Sequence, residues 1–191
     1  MKTAFIVISS ILAIVNILPY IRDVYRRKNK PRVVSWLTWS LLTGIASAAS
    51  FSDGQYASGI LLLLSSLETL SVVILGWRFG VREFDFFDAA CQAAAVVGLI
   101  LWLIFNSPSI AIIATISIDI AASLPTLRHA WRKPFEETAI TFFLGSLAAL
   151  FTFMAAKNFK ITAVAFPIYL VLMNFLISAV IYTRQHNLKP A

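Results

Sequence analysis

Seven apolar stretches occupy most of this chain, each close to the ~20 residues that carry an α-helix through about 30 Å of hydrocarbon. No other feature restricts the fold as much. They run over Thr3–Ile21, Val33–Phe51, Tyr56–Trp77, Ala89–Phe105, Ser109–Leu127, Thr138–Ala156 and Ile161–Tyr182. The fourth is the shortest, and the turn Asn106–Ser109 leaves little room before the fifth. Hydrophobic residues make up 59% of the 191, with mean hydropathy +0.82, whereas a soluble domain is roughly 45–50% apolar. The expected class is an all-α integral membrane protein of seven transmembrane helices.

The charges sit in short clusters between these stretches. Arg22, Arg26, Arg27, Lys28, Lys30, Arg32, Arg78, Arg82, Arg128, Arg132, Lys133, Arg184 and Lys189 fall on one side, and only Lys2, Lys157 and Lys160 of the 16 basic residues fall on the other. Basic loops stay in the cytoplasm, so the C-terminus is expected inside and the N-terminus outside. The same rule accounts for the net charge of +7 without nucleic acid as a partner. Lys2 and the apolar run after it resemble a signal peptide, but "NILPYIRD" offers no small-residue cleavage pattern, and the run is read as the first span. Cys91, the single cysteine, has no disulfide mate and reads as a small packing residue. His129 and His186 both fall at the inner surface, which excludes a transmembrane pair of haem ligands.

An internal repeat relates the two ends of the chain. An offset of 106 residues carries Leu18, Pro19, Arg22, Tyr25 and Arg26 onto Leu124, Pro125, Arg128, Trp131 and Arg132. It also carries Glu68 onto Asn174 and Arg78 onto Arg184. The second basic loop is about three residues shorter, so Pro31 and Ser35 match Pro134 and Thr138 at 103. Residues 1–82 therefore form a first three-helix repeat, 83–107 a linker helix and 108–191 a second repeat. Three spans is an odd number, so a linker span lets both halves run the same way through the membrane, as parallel repeats.

A 3+1+3 order with a proline and then a basic turn closing the first span of each half resembles the PQ-loop and SWEET group of transporters. The residues that carry the resemblance are Pro19, Arg26-Arg27-Lys28 and Ser35, then Pro125, Arg132-Lys133 and Thr138. Tyr20 and Thr126 stand where that group's motif has glutamine, which points away from the lysosomal amino-acid exporters within it. The resemblance implies two parallel three-helix bundles rocking about a central site, with Pro19 and Pro125 as hinges.

An ionisable group within hydrocarbon costs roughly 2.5–3.5 kcal/mol on insertion scales and marks function by default. Glu68, in "LLLLSSLETL", and Asp119, in "TISIDIAASLP", are the two carboxylates at midspan depth. Asn174, in "YLVLMNFLIS", is the repeat mate of Glu68. In SWEET-like proteins asparagines of the third and seventh spans flank the solute, and Glu68 and Asn174 resemble that pair. Their alternative roles are a protonated acid bonded to a neighbouring helix and an interhelical amide bond. Asn16, three residues before Pro19, is a further polar candidate, either for carbonyls freed by the kink or for solute. Trp36, Trp39, Trp77, Trp131 and Tyr182 read as an interfacial aromatic belt, and Phe51 and Phe159 as outer-end residues facing lipid, packing, or gating a solute.

The leading expectation is a carrier that moves a small polar solute by alternating access. Sugars, amino acids and vitamin precursors all remain open, and the nicotinamide-riboside carriers of the PnuC family are similar in architecture. No HExxH, Walker loop or His/Cys/acid cluster is present, so neither enzyme, metal nor cofactor is implied. The alternatives are a seven-helix receptor resembling the KDEL receptor and a membrane-embedded enzyme using Glu68 and Asp119. Expected partners are the solute and the lipid bilayer, with a homo-oligomer left open.

Overall fold

The computed structural model describes residues 2–52, 56–81, 84–104, 108–156, 159 and 161–188. They form helices α1 (Lys2–Val15), α2 (Ile17–Tyr25), α3 (Val33–Ser52), α4 (Tyr56–Phe79), α5 (Phe86–Ile104), α6 (Pro108–Arg132), α7 (Ala139–Ala155) and α8 (Ile161–Asn187). A 3-10 turn, Pro134–Glu136, precedes α7. Among the described residues the chain is all-helical, with one isolated parallel bridge between Arg32 and Val81. Two helical stretches, Thr3–Tyr25 and Val164–Asn187, are long and apolar enough to cross a membrane, and Val33–Gly44 and Ala139–Ala155 are shorter apolar helices.

The first stretch is divided at Asn16, between α1 and α2, but Asn16 keeps helical backbone at φ −58° and ψ −34°, and its N–H donates to Leu12 O at 2.9 Å. Pro19 has no N–H to give the Val15 carbonyl, so one intrahelical bond is missing there. Helix α6 passes through Pro125, which is buried.

Helix α2 ends in a Schellman arrangement. Lys28 N–H donates to Asp23 O and Arg27 N–H to Val24 O, both at 2.9 Å, and Arg27 adopts φ 58°. The chain then turns along the end of α4, where Val81 N–H donates to Pro31 O at 2.9 Å. Gly80 permits this approach, because a Cβ there would stand 2.5 Å from Pro31 O. At the start of α5, Asp88 N–H donates to Asp85 Oδ1 at 2.9 Å and Asp85 N–H to Asp88 Oδ2 at 3.2 Å, a reciprocal cap. Arg32 pairs with the fully buried Asp88, and Arg128 with Asp85 at 2.6 Å. These contacts gather the charged loops at one end of the bundle, the basic end.

Helix α3 packs along α4 and α7 along α8, while α2 meets α4 and α6 meets α8. Between these groups α1 packs on α7 and α3 on α6. Helix α5 lies chiefly against α6. Ser40 of α3 donates to Ser66 O of α4 at 3.1 Å, and Ser146 of α7 to Val171 O of α8 at 3.1 Å. Each serine ties the second helix of its group to the third, and the two are 106 residues apart. Large apolar side chains remain exposed around the outside, among them Ile11, Leu67, Ile74, Ile104 and Leu172 at 52–67%.

Candidate functional site: a central cavity

A cavity of ≈390 Å³ lies among α1, α2, α3, α4, α6, α7 and α8, and α5 contributes none of its described lining. Glu68 from α4, Asp119 from α6, Asn174 from α8 and Asn16 from between α1 and α2 all line it. The fold thus brings together four residues spread over 158 positions of sequence. The described lining includes two carboxylates and no Lys, Arg or His.

Each polar group is held differently. Asp119 is buried, and its Oδ2 accepts from the Tyr169 hydroxyl at 2.6 Å and the Ser123 hydroxyl at 3.4 Å. Glu68 is half-buried on the face it shares with Ser65 and Thr69, and no described residue donates to its carboxylate. Thr69 instead bonds back to Ser65 O at 2.9 Å. Asn174 Nδ2 donates to Leu170 O at 3.0 Å. A Cβ on Gly145 would stand 3.3 Å from Asn174 Oδ1 and 3.5 Å from Asn16 Nδ2, so the absent side chain of Gly145 leaves room for both amides. Asn16 makes no side-chain cap bond for α2, and it lines the cavity wall.

Aromatic residues form the floor. Trp36, expected in an interfacial belt, is buried, with its ring 4.6 Å from Tyr20 and 5.1 Å from Trp39. Both tryptophans line the cavity. The physical reason is that Trp36 and Trp39 lie on the face of α3 turned toward α2 and α7, where Tyr20 and Phe142 complete an apolar cluster. Trp77, Trp131 and Tyr182 do face outward, at 55–64% exposure. Phe159 is exposed, and the Phe51 side chain lies outside the described residues. Cys91 is buried.

Toward the basic end, the apolar cluster of Ile17, Tyr20, Trp36, Phe142 and Ile177 closes the cavity. Polar contacts beyond it join residues 1–82 to residues 108–191. The Tyr20 hydroxyl donates to Glu137 Oε2 at 2.7 Å. Asn29 donates to Thr138, whose hydroxyl donates to Asp23 at 2.9 Å, and Lys30 pairs with Glu136 at 2.6 Å. Gln185 of α8 holds the turn through Pro134 O at 2.8 Å. His129, expected near the inner end of its span, is buried among the side chains there. Its Nε2 is 3.2 Å from Glu136 Oε2, but burial pushes the imidazole down to about 4, so at neutral pH the contact is not an ion pair.

Burial raises the Glu137 carboxyl to about 8, opposed by the hydrogen bond from Tyr20. The folded protein therefore keeps a proton that the unfolded chain releases near 4.5. The stability this supplies is complete below that pH and is lost as pH rises through about 8. His129 acts with the opposite sign and only between about 4 and 6.5. Between pH 6.5 and 8.5 the thermal midpoint is expected to fall, by up to about 1.4 kcal/mol of stability per pH unit. Glu137→Gln should flatten that segment; an equally steep fall in the variant would assign it to another group.

No protein-family model, curated protein or solved structure matches the chain. Sequence reasoning missed Tyr169, Gly145 and the Tyr20–Glu137 contact. The first and last pair residues 50 and 117 positions apart, and Gly145 resembles any small residue in an apolar helix.

Proposed function

We propose that the protein is a seven-span membrane carrier of the PQ-loop and SWEET type, which moves a small polar solute by alternating access. The observation that carries this reading is the central cavity, with midspan Glu68, Asp119 and Asn174 on its wall. Its volume falls within the roughly 300–1,000 Å³ of small-molecule sites. The helix pairings support a division into residues 1–82 and 108–191 with α5 as linker, since α1 on α7 and α3 on α6 are what a two-fold axis between parallel halves produces.

Pro19, which removes one intrahelical bond, and Pro125 are the hinges of this motion. Opening at the basic end requires the Tyr20–Glu137, Asn29–Thr138–Asp23 and Lys30–Glu136 contacts to part. Hydrogen bonds of this kind contribute about 1 kcal/mol each, and an exposed ion pair less. Their sum is a few kcal/mol, which suits two states with a minor population of 0.1–10%. Large outward apolar side chains, which a soluble monomer rarely gathers in extended patches, support the membrane setting. A peptide receptor needs basic groups for a carboxylate, whereas the described lining is acidic. For the enzyme reading, the lining supplies serine and threonine hydroxyls but no described His or Lys to activate them.

Two measurements test the proposal. The first is a thermal-shift screen of the purified protein against sugars, amino acids, amines and nucleosides, because a bound solute raises apparent stability. The second is thiol labelling in intact cells, in which a cysteine at Gly54, outside the described residues, should react with an impermeant reagent and one at Lys28 should not. Lys28 is exposed, whereas Asn29 is buried and would stay unlabelled on either side. Equal labelling at both positions would refute the orientation.

A further inference from the structure

We propose that the groove formed by α5, α6 and α8 at the basic end binds an anionic phospholipid, with an acyl chain along its apolar wall and the phosphate at Arg132. The inference rests on the membrane reading above but not on any transported solute. The groove measures ≈440 Å³ and is separate from the central cavity. Leu124 and Leu127 of α6 and Val180 of α8 line it, giving a hydrocarbon tail an apolar bed.

At the end of that bed stand two guanidinium groups one helical turn apart, Arg128 and Arg132. Asp85 already holds Arg128 at 2.6 Å, and its guanidinium lies 4.7 Å over the Phe87 ring. Arg128 is thereby a fixed part of the wall. Arg132 is exposed and has no ion-pair partner among the described residues. Arg184 adds a nearby positive charge, with Nε donating to Trp131 O at 3.1 Å and its guanidinium 4.8 Å over the Trp131 ring. An indole beside an unpaired guanidinium at the end of an apolar slot complements a lipid at the headgroup boundary, where basic pockets between helices hold anionic headgroups.

The internal repeat supplies a control within the molecule. Leu18, Ile21, Arg22, Tyr25 and Arg26 form the same stripe on α2, 106 positions earlier, with Leu18 and Tyr25 exposed. Helix α5 packs beside α6 and not beside α2, so only the second stripe is faced by α5. If basic residues merely attracted anionic lipid to the surface, both stripes would act alike.

The test is native mass spectrometry of detergent-purified protein offered equimolar phosphatidylglycerol and phosphatidylcholine of matched chains. The wild type should retain the anionic lipid about tenfold better, on the scale of one or two arginines at a membrane surface. Arg132→Gln should bring the ratio near one, and Arg22→Gln/Arg26→Gln should leave it unchanged. Leu127→Trp, which fills the slot and keeps every charge, should also lower retention. Equal retention of both lipids by the wild type, or equal losses from the two stripes, would overturn the groove. A protein that stays dispersed without detergent and retains neither lipid would instead overturn the membrane reading.

Discussion

Asn174→Leu is expected to lower solute affinity by about 100-fold or more, and transport with it. The Asn174 Nδ2 group is engaged by Leu170 O at 3.0 Å, which leaves Oδ1 as the acceptor beside the space at Gly145. Leucine deletes that acceptor and puts a branched carbon into the space. An unpaired polar group costs about 1–3 kcal/mol, and each 1.4 kcal/mol is tenfold in affinity, before any clash with the solute is counted. Glu68→Gln, which keeps shape but removes the titrating proton, then separates three mechanisms. A proton-coupled carrier loses its pH dependence while binding partly survives. A carrier that holds a cation on the carboxylate loses binding at every pH. A neutral-solute facilitator is pH-independent in both forms. Uptake into proteoliposomes measures all three, and full transport by both variants would place the site elsewhere, with Asp119 the next carboxylate to change.

Arg32→Leu is expected to destabilise the fold by about 3–5 kcal/mol, the scale for removing one partner of a buried ion pair. The Asp88 side chain is fully buried and that of Arg32 is 11% exposed. The same Asp88 oxygen also accepts the Asp85 N–H at 3.2 Å, so the stranded carboxylate would unsettle the start of α5 as well. Arg32→Leu/Asp88→Asn removes the charge together with its partner and should recover most of the loss. Thermal unfolding in detergent measures both variants. Equal losses in the single and double variants would show that the leucine acts by other means than leaving a charge unpaired.

The positions of the helices were legible because long apolar runs separated by charged turns leave few alternatives: α3 and α8 begin at Val33 and Ile161, as the runs do. The four polar residues on the cavity wall stood out in the sequence, Glu68 and Asp119 because they interrupt apolar runs, Asn174 through the 106-residue offset and Asn16 through its place before Pro19. Which way a side chain points was harder to read. A helix apolar around its whole circumference carries no periodic signal of an inner face, so Trp36 could be placed at depth but not turned inward. Pairings such as Asp119 with Tyr169 depend on how two helices meet.

The corner where Pro31 lies against Gly80 has a mechanical meaning. No side chain fits between them, and Val81 N–H donates to Pro31 O, so the Lys30–Arg32 loop and the end of α4 behave as one welded joint. Glu68 stands twelve residues back along that helix, a lever arm of about 18 Å at 1.5 Å per residue. A tilt of about 5° at the joint sweeps the carboxylate through about 1.6 Å, roughly half a hydrogen-bond length. The stiffness of this one corner therefore sets how far a movement of the loop is felt at the cavity wall.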